Sequence, residues 1–214
     1  MAHATLMSIM KTKILVWDYI VRLGHWLLAG SFIVAYLSAE SERWRMLHVV
    51  SGCLVFAAVV MRVLWGFIGS RHARFTHFVT APKHAISYLK SLVSPDLEHH
   101  TGHNPAGGWA VMGLLSLSLL ASITGWMTYN NIGGTKLGKW HEFAANLAWV
   151  LVIVHIAAVV ISSYLHKENL LAAMFTGSRK GSLNERIKEV SLVGVLLYFS
   201  MLISIAYFTY RYVQ

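Results

Sequence analysis

Long runs without charge constrain this chain more than any other feature. From Leu23 to Ala39 the only ionisable residue is His25. Extended back through Tyr19, Ile20 and Val21, the run reaches about 20 residues, enough for a helix to cross a bilayer. Met46 to Met61 is apolar apart from His48, and Val63 to Ile68 carries that run on past Arg62. Trp109 to Thr135 holds no charge, residues 141–164 hold one carboxylate (Glu142), and Val190 to Tyr210 is again uncharged. Inside a bilayer each segment must satisfy its own backbone polar groups, and for runs of this length the helix does so. The expected fold is therefore all-α and integral to the membrane: a four-helix transmembrane bundle plus a fifth, C-terminal span.

Composition agrees. With 56% apolar residues, 13% charged and a mean hydropathy of +0.55, this is no ordinary soluble domain. A net charge of +9 could suit nucleic acid. Its basic residues are interleaved with long apolar runs, however, which points to the lipid bilayer and away from nucleic acid. One cysteine, Cys53, rules out a disulfide scaffold and any Cys-x-x-Cys motif, and among apolar neighbours it reads as packing.

The connectors divide the chain. Residues 1–13 form a short basic tail without a signal peptide. Glu40, Glu42, Arg43 and Arg45 make a tight polar turn, and residues 133–138 read as a loop. Residues 70–107 are a polar loop carrying His72, His77, His84, His99, His100 and His103, with helical spacing from Lys83 to Val93 that suits the membrane surface. The six histidines match no zinc spacing and read as a solvated loop. The expected division is residues 1–180 as the main domain, then a connector and accessory helix over 181–214. Lys11, Lys13, Arg22, Arg62, Arg71, Arg74, Lys83, Lys90, Lys167, Arg179, Lys180, Arg186 and Lys188 fall on one side of the bilayer; Arg43, Arg45, Lys136, Lys139 and Arg211 fall on the other. The positive-inside rule then puts the N-terminus in the cytoplasm and the C-terminus outside, in the periplasm if the membrane is a bacterial inner membrane.

Histidines within the spans carry the chemistry. Ionisable residues there are costly and default to function. His141 and His155 are fourteen residues apart in one run. At about 100° and 1.5 Å per residue they share a face and lie about 21 Å apart along the axis. By depth, His48 matches His141 toward the outside, and His25 matches His155 toward the inside. Bis-imidazole ligation of two haems accounts for both pairs, whereas zinc or copper would need more ligands at one level. Without Cys-x-x-Cys-His the haems would be held non-covalently. Haem propionates want cations, and Arg22, Arg43, Arg45 and Arg62 stand at matching depths; the positive-inside bias is the alternative account of each. Gly24, Gly30, Gly52 and Gly125 suit a porphyrin face or close helix packing, and the tryptophans at span ends suit interfacial anchoring.

The stretches VWDYIVRLGHWLLAGSFIVAYLSAE, LHVVSG, RVLWGFIGSRHARF, GHNPAGG and HKENLLAAMFTG resemble the small prokaryotic di-haem cytochromes b related to the cytochrome b subunit of nickel–iron hydrogenases. The resemblance covers about residues 14–180 and implies haem b ligated by His25, His48, His141 and His155. It further implies electron transfer between quinone and a periplasmic partner, either a c-type cytochrome or an oxidoreductase such as hydrogenase. A related branch implies an enzyme instead, oxidising superoxide at a basic outer funnel of Arg43, Arg45, Lys136 and Lys139 while reducing quinone. Within this frame Asp18, Arg22 and His166 form the candidate quinone site, because a quinone head group needs polar groups at haem depth. An i,i+4 ion pair between Asp18 and Arg22 is the simpler account of those two.

Overall fold

The computed structural model describes residues 12–92, 94, 98–187 and 192–212. The expected N-terminal tail, up to Lys11, and the cation Lys188 lie outside the described residues. Each long helix begins where local chemistry dictates. The Asp18 carboxylate accepts the amide N–H of Val21 at 2.9 Å and starts α1 (Tyr19–Ser38). A short 3-10 turn, Glu42–Trp44, leads into α2 (Arg45–Ile68). A surface helix, α3 (Pro82–Ser91), follows, close to the expected 83–93. In the Asn104-Pro105 pair, Asn104 Oδ1 accepts from Gly107 N at 2.6 Å, and proline occupies a position where no amide proton is needed. That pair launches α4 (Pro105–Tyr129).

The next helix corrects the expected loop at 133–138. Gly133 and Gly134 have φ of +76° and +59°, so the reversal is complete by Gly134 and α5 runs from Gly134 to Leu165. A glycine-rich composition looked like a loop, but only its first two residues are used for the turn.

Four helices, spanning Tyr19–Ser38, Glu42–Ile68, Pro105–Tyr129 and Gly134–Leu165, are long and apolar enough to cross a membrane. Their outward faces are apolar, with Val150, Ile153, Val154, Ile156 and Val160 all more than half exposed, which suits lipid and not water. Neighbours in sequence pack as pairs, α1 with α2 and α4 with α5, and α2 joins the pairs through α4. Ala57, Ala58, Ala144 and Ala148 are fully buried, so the helix backbones approach closely. Trp17 and Trp65 are core residues, unlike the exposed Trp44 and Trp140, and the interfacial-anchor reading fails for the buried two.

One end of the bundle carries a cap that the all-α expectation missed. Strand β1 (Thr12–Leu15) pairs antiparallel with β2 (Ser178–Gly181), after a short helix α6 (Leu170–Thr176). Strands of four residues, so far apart in the chain, leave no periodic trace. The cap is polar and tightly paired. Arg179 bridges Glu168 at 3.0 Å and donates to Gly102 O at 2.8 Å, and Glu185 accepts from Thr101 Oγ1 and Ser182 N. Residues 181–187 thus grip the bundle end, with Ile187 N donating to Leu15 O. His72 is 2% exposed with Nε2 2.7 Å from Glu185 O, which corrects its reading as a solvated loop residue. The final helix, α7 (Leu192–Tyr212), lies along the outside of the bundle. Gly194 sits against the Trp65 ring at the cap end, and Phe208 meets Trp126 at 5.2 Å near the far end.

Candidate haem-binding site

At the end away from the cap, His48 lies in the first turn of α2 and His141 in α5. Helix α1 ends at Ser38, and the amide of Ala39 turns back to Tyr36 O, which opens the Ala35 carbonyl to a side-chain donor. His48 Nδ1 takes it at 2.8 Å. His141 Nδ1 meets Ala121 O of α4, also at 2.8 Å. A carbonyl can only accept, so both Nδ1 atoms carry the proton and both Nε2 lone pairs are free. The two rings stand 5.9 Å apart between centroids, with planes at 84°. A transition metal roughly 2 Å from each Nε2 would put the centroids about 6 Å apart. At that separation the two rings could share one metal ion. Gly125 makes this possible, since a Cβ there would lie 2.8 Å from His141 Cε1 and Nδ1.

Nearer the cap, His25 of α1 and His155 of α5 are both half-buried, and His155 lies within electrostatic reach of His25. His25 packs edge-on against Trp26 at 5.0 Å, and its Nδ1 is buried without a hydrogen-bond partner. Gly24, beside His25, and Gly52, one turn from His48, face open space, as does the exposed Gly30. Room beside the helices, free imidazole nitrogens and orphaned polar atoms all fit a flat macrocycle with polar edges.

The four candidate propionate arginines separate clearly. Arg62 lies over the rings of Phe75 and Phe78, at 5.4 and 5.6 Å, and both of its Nη atoms are buried without partners. Arg22 donates to Phe175 O at 2.6 Å and lies over Tyr19, while its Nε is buried and unpartnered. Arg43 and Arg45 are exposed: the first lies over Trp44, the second over Tyr129 and 4.0 Å from Glu42.

Among the described residues, Asp18, Arg22 and His166 share no common partner. Asp18 is 1% exposed, and its carboxylate is engaged by Val21 N, Trp65 Nε1 and Ser70 Oγ. Among the described residues it forms no ion pair with Arg22. His166 closes α5, with Nε2 3.3 Å from Tyr88 OH and Nδ1 3.2 Å from His99 Nδ1. Burial, then the charge of His99, holds its pKa below the usual histidine range.

One residue escaped the sequence reading. His103 is clamped between Trp17 (4.8 Å) and Phe78 (4.5 Å), with Nδ1 buried and unpartnered. Burial first, and then Arg62, His155, Arg179 and His25, push its pKa down to about 3. The signal available was its place in GHNPAGG, one residue before the Asn104 cap that starts α4. Among five other loop histidines it did not stand out.

Fold and site together define a multi-pass membrane helix bundle with imidazoles facing one another between its helices. The chain belongs to the prokaryotic cytochrome b561 family, whose model matches residues 16–177. It is similar to proteins described as probable Ni/Fe-hydrogenase B-type cytochrome subunits. That of Rhizobium leguminosarum bv. viciae is 23% identical over 218 residues, covering 80% of this chain and 91% of the relative. That of Rhodobacter capsulatus is 24% identical over 217 residues, covering 79% and 82%. The Escherichia coli K12 subunit of hydrogenase 1 is 22% identical over 214 residues, covering 77% and 89%. No solved structure matches the chain. A b-type cytochrome holds haem b and transfers electrons, and this one does so within a membrane.

Proposed function

We propose that the protein is a di-haem cytochrome b of the bacterial inner membrane, carrying electrons between quinone and a partner on the periplasmic side. The relatives' names favour a hydrogenase as that partner over a c-type cytochrome. The observation that carries the reading is the His48–His141 pair, with both Nδ1 atoms tied to carbonyls and the rings 5.9 Å apart. Haem b, when bound, supplies a one-electron iron couple. His48 and His141 hold the outer group; His25 and His155 hold the inner one, about 21 Å away along α5 by helix rise. Arg62 offers a propionate its guanidinium, and α7 is a fifth span beside the ligating helices.

Quinone chemistry belongs at the cap end. There Arg22 and His166 offer donors, while Asp18 holds the start of α1 in place. Exposed Arg43, Arg45, Lys136 and Lys139 at the far end give an acidic partner a place to dock.

A pyridine haemochrome assay on the purified protein should return two non-covalent haems b per chain. His141→Leu or His48→Leu should remove one haem, and His25→Leu or His155→Leu the other. A wild-type protein with one haem or none would overturn the paired ligation. Arg22→Gln and His166→Gln, with both haems kept, should slow haem reduction by a quinol analogue and leave reduction by a soluble outer donor unchanged. Equal loss by both routes would move the quinone site elsewhere.

A further inference from the structure

A buried guanidinium with both terminal nitrogens unsatisfied calls for an anion, because an unpaired charge in a low-dielectric interior is strongly disfavoured. Arg62 is in that condition. Asp18 is the carboxylate within its electrostatic reach, but Asp18 already accepts from Val21, Trp65 and Ser70. A second orphan lies within electrostatic reach of Arg62. The Phe78 ring is in contact with both the Arg62 guanidinium and the His103 imidazole, and His103 Nδ1 is buried with nothing to bond. Trp17 closes the other side of the imidazole and fixes its plane. Arg179, also near, gives its two terminal nitrogens to Gly102 and Glu168, while its Nε is buried without a partner. Two orphaned donors thus share Phe78 as a neighbour, and Arg62, His155 and His25 all lie within electrostatic reach of His103.

We propose that Arg62 and His103 form one anion hole for a propionate of the inner haem, His103 donating from Nδ1 and Arg62 from its guanidinium. The assignment rests on His25 and His155 being the inner ligand pair. A carboxylate has the acceptor capacity to satisfy both donors at once, and the edge of a macrocycle between His25 and His155 would deliver one there. His103 is a positioning residue: it orients the macrocycle and offsets its negative edge without touching iron.

The test is a potentiometric titration of both haems in the full-length, membrane-reconstituted protein, with the inner haem identified as the one missing from His155→Leu. In His103→Leu and Arg62→Gln the propionate charge loses compensation, so the ferric form is favoured. The inner haem's reduction equilibrium should shift about tenfold, which is about 59 mV for one electron, with the outer haem unchanged. His103→Gln keeps an N–H donor and should recover most of the shift.

The proposal is overturned if both variants stay within about threefold of wild type, or if both haems move together. Loss of the inner haem from His103→Leu that His103→Gln fails to restore also overturns it. A wild-type protein that holds a single haem brings down the ligand pair itself, and is recognised before any substitution is made.

Discussion

At the scale of single residues, the proposed outer haem site depends on an absence. Gly125 has no Cβ, and the His141 imidazole occupies the space one would fill, 2.8 Å away. The ring cannot retreat without giving up Ala121 O, which sets its tautomer. Gly125→Val should therefore lower outer-haem occupancy severalfold while the inner haem is retained, as read by haem-to-protein ratio and by the split of the α-band on redox titration. Full occupancy of both haems would show that α4 can shift to relieve the clash. Asp18 carries a different lesson. Three hydrogen bonds on one buried carboxylate tie the start of α1 to Trp65 and Ser70 at the end of α2. A carboxylate at haem depth suggested a quinone partner, but only its surroundings reveal what it already binds.

At the scale of elements, the cap is tied together by carboxylates that acid would protonate. Burial alone would raise the Glu168 pKa, but the hydrogen bonds from Arg179 and the Lys180 backbone, together with their charges, hold it below its ordinary 4.5. Glu185 is likewise lowered, burial being outweighed by Thr101, the Ser182 backbone and nearby His72 and Arg71. A carboxylate with a depressed folded pKa stabilises fully above its unfolded pKa, and the contribution disappears as pH falls through the folded value, because the unfolded state then binds more protons. Amide exchange in β1 and β2, corrected for intrinsic rates, should lose protection as pH falls from about 5 to about 3, before the spanning helices do. Glu168→Gln should show the reduced protection already at neutral pH. Uniform protection down to the lower pH would show that the strands are held by apolar packing of Ile14 and Val16 instead.

At the scale of the whole molecule, charge is divided between the ends. The far end shows Arg43, Arg45, Lys136 and Lys139 to solvent together with the carboxylates Glu40, Glu42 and Glu142, of which Glu42 lies 4.0 Å from Arg45. A surface with a net excess of positive charge steers an acidic partner over roughly a Debye length, about 10 Å at 0.1 M salt. Reduction of the haems by an acidic soluble donor should slow several-fold as ionic strength rises from about 0.02 to about 0.3 M. Lys136→Glu with Lys139→Glu should lower the rate and flatten the salt dependence together. A rate indifferent to salt in the unaltered protein would argue against docking at this face.

What the amino-acid sequence determined by itself was whatever depends on period and length. Uncharged runs of bilayer length implied α1, α2, α4 and α5, since a membrane leaves the backbone little alternative. Fourteen residues between His141 and His155 implied one face and two depths, and Asn104-Pro105 marked a helix start. Tertiary structure alone decided what depends on which groups meet. It tied His48 and His141 to carbonyls on two other helices. It separated Arg62, buried and unpaired, from Arg43 and Arg45 at the surface, and it drew His103 out of a histidine-rich loop into the interior. It also joined β1 to β2 across the length of the bundle domain. The physical reason is the same throughout: helical period is a local property of the chain, whereas a hydrogen-bond partner or a buried neighbour belongs to residues far away in sequence.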